Sequence, residues 1–416
     1  MGDMGDTTAD RTPNLLSIPP EIRESIYHLI LNPDANRLLQ PDEYTDYDYT
    51  AALVLFRINR QIYTEARKVF RDQNIFVRIE TPWADAQKHV WELGHTPILM
   101  NGRRAARFTG HSLQVVVDAP QNVMPDAEKE LFVIHLEDLD KFTKTWYYAH
   151  LSYPDLNSHL RLILELRDPY TPDWEEKRVP KALQRRLLLP FGDVKSLGQV
   201  VLAGNPKPYS SIITELKAAQ AAPIPSAEHC LRETTRLEAE GTAALKKGEL
   251  RTALKLYNKA WEAMHIVVKG SKRWIHADAF FGRELREEPF RGENGQYVRL
   301  RLRVTLVANT TLVYLKMQDW VQAEYWGYRS IKMVRDAMGL DEDAQIEPRD
   351  EVFLGFPAAV QMGTVYCRTA LANEGLGNLP QARRLLRVAE LYLPDDEEVQ
   401  ETVRRLLPRP APATAV

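Results

Sequence analysis

The sequence predicts a mixed fold: an N-terminal region that is α+β or α/β and opens on two amphipathic helices, followed by an all-α superhelix of stacked helix pairs. Three observations carry that expectation. Between about 74 and 204, short runs dense in Val, Ile and Leu alternate with helical segments. From 228 onward the apolar spacing is helical almost throughout. Within that part, Gly241 to Ala260 reads as two amphipathic helices joined at Lys-Lys-Gly248, where glycine can take the left-handed conformation that ends a helix.

Composition bounds the rest. A chain of 416 residues, 44% hydrophobic and 27% charged, is long enough for two or three domains with sizeable cores. With 54 basic against 57 acidic residues the net charge is -3, so no bulk charge draws the chain to nucleic acid or a membrane surface. Cys230 and Cys367 are the only cysteines, which excludes a disulfide framework and fits a reducing compartment. There is no secretory signal pattern and no long apolar run, so the expected location is cytoplasmic or nuclear.

In chain order, residues 1–13 read as a disordered leader and 14–204 as the first folded region. Pro19 and Pro20 favour a helix start, because the first turn has no amide partners to lose. Ile22, Ile26, Leu29 and Ile30 then share one helical face. After a polar insert, PDEYTDYDYT, a second run places Ile58, Ile62, Ala66, Val69 and Phe70 on another stripe. Residues 15–80 resemble the fungal F-box-like family. Ile18, Pro19, Glu21, Ile22 and Ile26 match its first helix, and Ile58, Asn59, Arg60, Gln61, Glu65 and Ala66 match its later one. The resemblance implies an attached mixed domain. It also implies an adaptor-binding surface, with Ile22, Ile26 and Ile58 touching the small adaptor of a cullin-type ubiquitin ligase.

Strands are expected in NIFVRIE, SLQVVVDA, LFVIHLED, LRLILELRD and GQVVLAG, with helices in DLDKFTKTWYYAHL and KALQRRLLLPFGDV. Their order in a sheet cannot be read from the sequence. Trp83, Trp91, Trp146 and Trp174 are expected in the core. Residues 205–227 carry four prolines and read as a linker, so the domain boundary is placed there.

Residues 228–407 form the second domain. Gly241, Ala253, Tyr257 and Ala260 match the small and aromatic slots of a tetratricopeptide repeat (TPR), which this stretch resembles. One pair cannot bury its own face, so further pairs are required. Tyr314, Ala323 and Ser330 with a turn at Gln318-Asp319 supply a second, and Gly377, Ala382, Leu386, Ala389 and Pro394 a third. The three units span about 234–267, 304–337 and 363–396. Their first positions, Thr234, Val304 and Gly363, lie 70 and 59 apart, against ~34 for the family, so both gaps hold inserted chain. Residues 268–298 are expected as a loop with partial helix. RLRLRVTLV at 299–307 alternates like a strand, yet the repeat register requires helix. Asp395 and Glu398 mark a capping helix that turns Val399, Val403, Leu406 and Leu407 inward, and 408–416 is an expected disordered tail.

Catalytic signatures are absent: no phosphate loop, no dinucleotide fingerprint, no nucleophile elbow, no HExxH and no CxxC. The acidic stretch 341–351 has Ile346 where a calcium loop needs glycine, and His89, His95 and His111 sit in segments of different character. No catalytic residue, cofactor or metal is expected. The likeness to TPR proteins implies a concave wall that grips an extended peptide, and in its co-chaperone branch a clamp for a terminal carboxylate. At the clamp positions this chain has Glu238, Thr242, Asn309, Thr364 and Arg368. Asn309 and Arg368 are kept, and Glu238 stands where a cation is expected. Lys246 and Lys316 leave the wall net positive. The sequence thus points to a protein-interaction protein, as substrate receptor of a cullin-type ligase. The alternatives are a chaperone-linked scaffold for acidic C-termini and, third, an enzyme of unrecognised type.

Overall fold

In the computed structural model the described residues are 15–39, 45–83, 85–120, 129–269, 272–340 and 351–407. The expected leader, the acidic stretch from 341 to 350 and the expected tail lie outside them. The chain divides into two compact units, with the sequence boundary between Ala222 and Pro223.

The N-terminal unit begins with α1 (Pro20–Leu31), a two-stranded antiparallel ribbon of β1 (Arg37–Leu39) and β2 (Thr45–Tyr47), a 3-10 turn at Ala52–Arg57, and α2 (Arg60–Gln73). The Asn59 side chain caps α2 by accepting from the Ile62 amide at 2.9 Å. Ile62, Ala66 and Val69 of α2 are buried as expected, against Tyr27 and Leu31 of α1 with Ala52 and Leu55. The buried face of α1 is therefore Arg23, Tyr27 and Leu31. Ile22, Leu29 and Ile30 lie together on the outer side of the helix, with Ile26 half-buried at its edge.

Next come β3 (Phe76–Thr81), α3 (Ala86–Glu92), β4 (Met100–Asn101), α4 (Gly102–Arg107), β5 (Leu113–Asp118), β6 (Glu130–His135), α5 (Leu139–Ser152), β7 (Arg161–Arg167), α6 (Lys181–Leu188), β8 (Gln199–Asn205) and α7 (Ser210–Ala221). Six strands form one mixed sheet in the order β4-β6-β3-β5-β7-β8. The β3–β5 and β7–β8 pairs are parallel and the others antiparallel. Strand periodicity sorts the side chains. Val77 and Ile79, Leu113 and Val115, Phe132 and Ile134, and Leu162 and Leu164 enter one core with Phe142 and Trp146 of α5, whereas Phe76 and Val133 join Ala105 of α4 in another cluster.

Two expectations are corrected here. Residues 210–221 are not linker: α7 seats Ile212 and Leu216, both fully buried, in the main core. The prolines flank this helix and do not lie inside it. Of the four tryptophans only Trp146 is core; Trp83, Trp91 and Trp174 are exposed, since they stand on connections and on the outer side of short α3.

The C-terminal unit is built of α8 (Ala227–Lys246), α9 (Leu250–Ala263), a hairpin of β9 (Ile266–Lys269) and β10 (Lys272–Ile275), α10 (Asp278–Phe281), α11 (Gly295–Lys316), α12 (Trp320–Ala337), α13 (Glu351–Leu354), α14 (Ala359–Gly375), α15 (Leu379–Tyr392) and α16 (Glu397–Leu406). Helices α8 with α9, α11 with α12, and α14 with α15 pack as pairs. α11 lies against α8, α9 and α14, α12 against α14, and α16 against α15. The turn residues Gly248, Gln318 and Gly377 all have left-handed φ, between 60° and 81°. Five positions after each stands a fully buried alanine: Ala253, Ala323 and Ala382.

Residues 299–307 are helical, inside α11. The expected loop at 268–298 is corrected in part, since it contains β10, α10 and, at Glu284 and Asn294, an isolated antiparallel bridge. The cap of the last helix is Asp396, whose side chain accepts from the Val399 amide at 3.0 Å, one position beyond the expected Asp395.

Gly241 packs against the face of Tyr257, and a Cβ at that position would fall inside the van der Waals radius of the ring. Gly241→Ala is expected to destabilise the chain by about 1–3 kcal/mol through overpacking, read as a lower denaturant midpoint with unchanged slope.

Candidate functional site

In the C-terminal unit the first helices of the three pairs bring Glu238, Asn309 and Arg368 into one polar network. Asn309 Nδ2 donates to Glu238 Oε1 at 2.7 Å and lies 3.2 Å from Thr242 Oγ1. Thr242 donates to the same Glu238 oxygen at 2.8 Å and is 3.2 Å from the Tyr257 hydroxyl. Arg368 Nη1 donates to Asn309 Oδ1 at 3.3 Å, and Nη2 lies 3.7 Å from Glu398 Oε2. The carboxylate that a clamp would take from a ligand is supplied here by Glu238. Thr364 stands apart and bonds to Val360 O of its own helix. Lys246 and Lys316 are exposed in the last turns of α8 and α11, where a cation complements the helix end, and neither joins the network.

In the N-terminal unit the exposed side of α1 is apolar. Ile22 is 52% exposed and Leu29 73%, while Ile26 is half-buried; Ile58, just before α2, is 51% exposed. Val54 and Ile30 add to the exposed apolar surface. Beneath it, Arg23 holds Glu65 with two parallel hydrogen bonds, Nε to Oε2 at 2.9 Å and Nη2 to Oε1 at 2.6 Å, and Tyr27 donates to Oε2 at 3.0 Å. The Arg23 hydrogen bond, more than any other cause, holds the Glu65 carboxyl down at about 2. This buried arginine is what sequence reasoning missed on α1. The only signal for it was Glu65 in the second helix, itself part of the matched pattern.

Among the described residues no group of three or more His, Cys, Asp or Glu is arranged to hold a metal ion. Cys230 Sγ lies 3.9 Å from His265 Nε2, but burial pushes the thiol up to about 11, so it stays protonated and lacks the thiolate a nucleophile needs. Cys367 is pushed up to about 12, again by burial. His111 is held neutral at about 4, mainly by burial and then by Arg78 and Arg167, so it serves as a core group bonded to Phe108 O and Arg167. No described helix is long and apolar enough to cross a membrane. No protein-family model, curated protein or solved structure matches the chain.

Two outcomes follow from these contacts. Glu65 stabilises the fold above its ordinary value of about 4.3, and that contribution drains away as pH falls through its folded value of about 2. Between about pH 4.5 and 2, the melting temperature of the wild type is expected to fall more steeply than that of Glu65→Gln; parallel profiles would contradict the assignment. Asn309→Ala, which strips Glu238 of one donor and Arg368 of its acceptor, is expected to cost about 1–3 kcal/mol in denaturant unfolding.

Proposed function

We propose that the chain is a protein-interaction protein that works as a substrate receptor of a cullin-type ubiquitin ligase. In this reading the helices of residues 15–80 act as an F-box-like adaptor-binding module. The three C-terminal helix pairs act as a TPR-like superhelix whose concave wall holds an extended segment of the target. The protein acts by binding and not by turnover, in the cytoplasm or the nucleus. The single observation that supports it most is the apolar outer face of α1, where Ile22 and Leu29 stay open to solvent although the same helix has a well-packed inner face. An exposed apolar stripe of this kind on a folded surface is characteristic of a protein-binding site.

The chaperone-linked alternative draws less from the wall. Glu238, Asn309 and Arg368 are occupied with one another, so an incoming carboxylate would have to displace an internal one. The target segment is therefore better accommodated through apolar and neutral polar contacts.

Because Ile22 and Ile58 are half in solvent, charges placed there leave the fold intact. Ile22→Asp combined with Ile58→Asp is expected to abolish capture of the small cullin adaptor in a pull-down with purified components, with the melting temperature unchanged. Failure of the wild-type chain to retain the adaptor would sink the ligase reading.

A further inference from the structure

A partly open cavity of about 60 Å³ lies between the β9–β10 hairpin and helices α9, α11 and α12. Its charged lining is cationic. Arg273 of β10 enters from the hairpin with its guanidinium 4.9 Å from the centroid of Trp326 and 5.5 Å from that of Trp261, and Nη2 donates to Ser330 Oγ at 3.0 Å. Arg303 of α11 also lines the cavity and makes no hydrogen bond or ion pair to a described residue. The buried Trp261 indole N–H likewise has no partner. The carboxylate that acts on Arg303, Asp278, is already held by Arg299 at 2.9 Å.

Among the described residues this charge is only partly compensated. Arg273, Arg299 and Arg303 stand near other guanidinium groups or one another in this part of the unit, and among the described groups that act on them Asp278 is the one carboxylate. Burial first, then Arg329 and Arg303, pull the Arg273 guanidinium down to about 9, and the Tyr325 phenol alone acts the other way. An arginine normally enters a protein interior with a carboxylate beside it. Two that share a cavity without one leave a place for an anion that no described residue fills. The remaining walls are aliphatic: Leu300, Val304, Val307, Met333 and Val334.

We infer that this cavity is a binding site for a small organic carboxylate, its head held by Arg273 and Arg303 and its short apolar body laid against Leu300, Val304 and Met333. An acceptor-only, planar, singly charged head is what two guanidinium forks and an indole N–H complement. The apolar walls favour a carboxylate with a branched body over a fully hydrated inorganic anion. The site is separate from the wall that carries Glu238, Asn309 and Arg368 and does not rest on the ligase reading.

The test uses the full chain and four probes, isovalerate, acetate, inorganic phosphate and chloride, at matched ionic strength. Titration calorimetry should give a single site for isovalerate, bound about tenfold or more tightly than acetate or phosphate, and thermal melting should shift upward with isovalerate but not with chloride. Arg303→Gln should weaken isovalerate at least about tenfold, and Arg303→Lys, which keeps the charge and loses the fork, should recover only part of that affinity. If Arg303→Gln melts well below the wild type, the Lys variant and the probe ranking carry the test. The inference is overturned if isovalerate shows no saturable binding, if phosphate or chloride binds as tightly, or if a folded Arg303→Gln binds isovalerate as the wild type does.

Discussion

Arg299 is fully buried, and the arrangement of the C-terminal unit depends on how its charge is met. Nη1 reaches Asp278 Oδ1 at 2.9 Å, Nη2 donates to Met264 O at 2.7 Å and to His276 O at 2.6 Å, and the guanidinium lies 4.3 Å from the centroid of Phe281. These acceptors come from the end of α9, the exit of the hairpin and the start of α10. One side chain on α11 therefore ties down the whole segment inserted between the first two helix pairs. The Met264 carbonyl is one of those a helix end leaves unbonded, so the cation satisfies a group that would otherwise be orphaned. A buried guanidinium stripped of these acceptors would cost several kcal/mol, which is why the insert must lie where it does. The same insert brings Arg273 over Trp261 and Trp326, and so shapes the neighbouring cavity.

The N-terminal unit follows the same rule with opposite consequences for its surface. Arg23 is buried because Glu65, 42 positions away, and the Ile18 carbonyl receive it. Once that polar contact fixes the inner side of α1, rotation of the helix is set, and Tyr27 and Leu31 follow inward while Ile22 and Leu29 are carried out. The exposed apolar face is thus a product of where a charge had to go. A helix that simply minimised exposed apolar area would have turned the other way.

How much of this was legible depends on the range of the interaction concerned. The five long strands could be read because each is a dense Val, Ile and Leu run, whereas β4, only two residues long, has no run to read. The turns at Gly248 and Gly377 were legible because glycine is a local helix-ending signal, whereas the left-handed φ of Gln318 had no such signal. The buried face of α1 was not legible, because the partner of Arg23 lies on another helix and an arginine is counted as outward by any pattern. Strand order was closed for a like reason: β3 lies between β5 and β6, and nothing local distinguishes its neighbours. Helix α7 was hidden by its flanking prolines, although Ile212 and Leu216, one helical turn apart, were the signal to follow. The alternation of Arg299, Arg301 and Arg303 reads as a strand until the first and last are seen one turn apart on a single helix face.

The wall of the helix pairs shows how residue identity and residue role separate. Asn309 meets both Arg368 and Glu238, and Glu238 reads in sequence as a repulsive intruder. In space it is the acceptor that Asn309 and Thr242 share, with Tyr257 closing the network at the Gly241 approach. A carboxylate held by two donors on its own wall no longer acts as an unscreened charge toward a ligand. It also removes from the wall the donors that would have gripped one. Glu238 is thus an internal joint between the first and second helix pairs. Arg273 and Arg303 bring their charge to a different place, the cavity that the inserted hairpin helps to enclose.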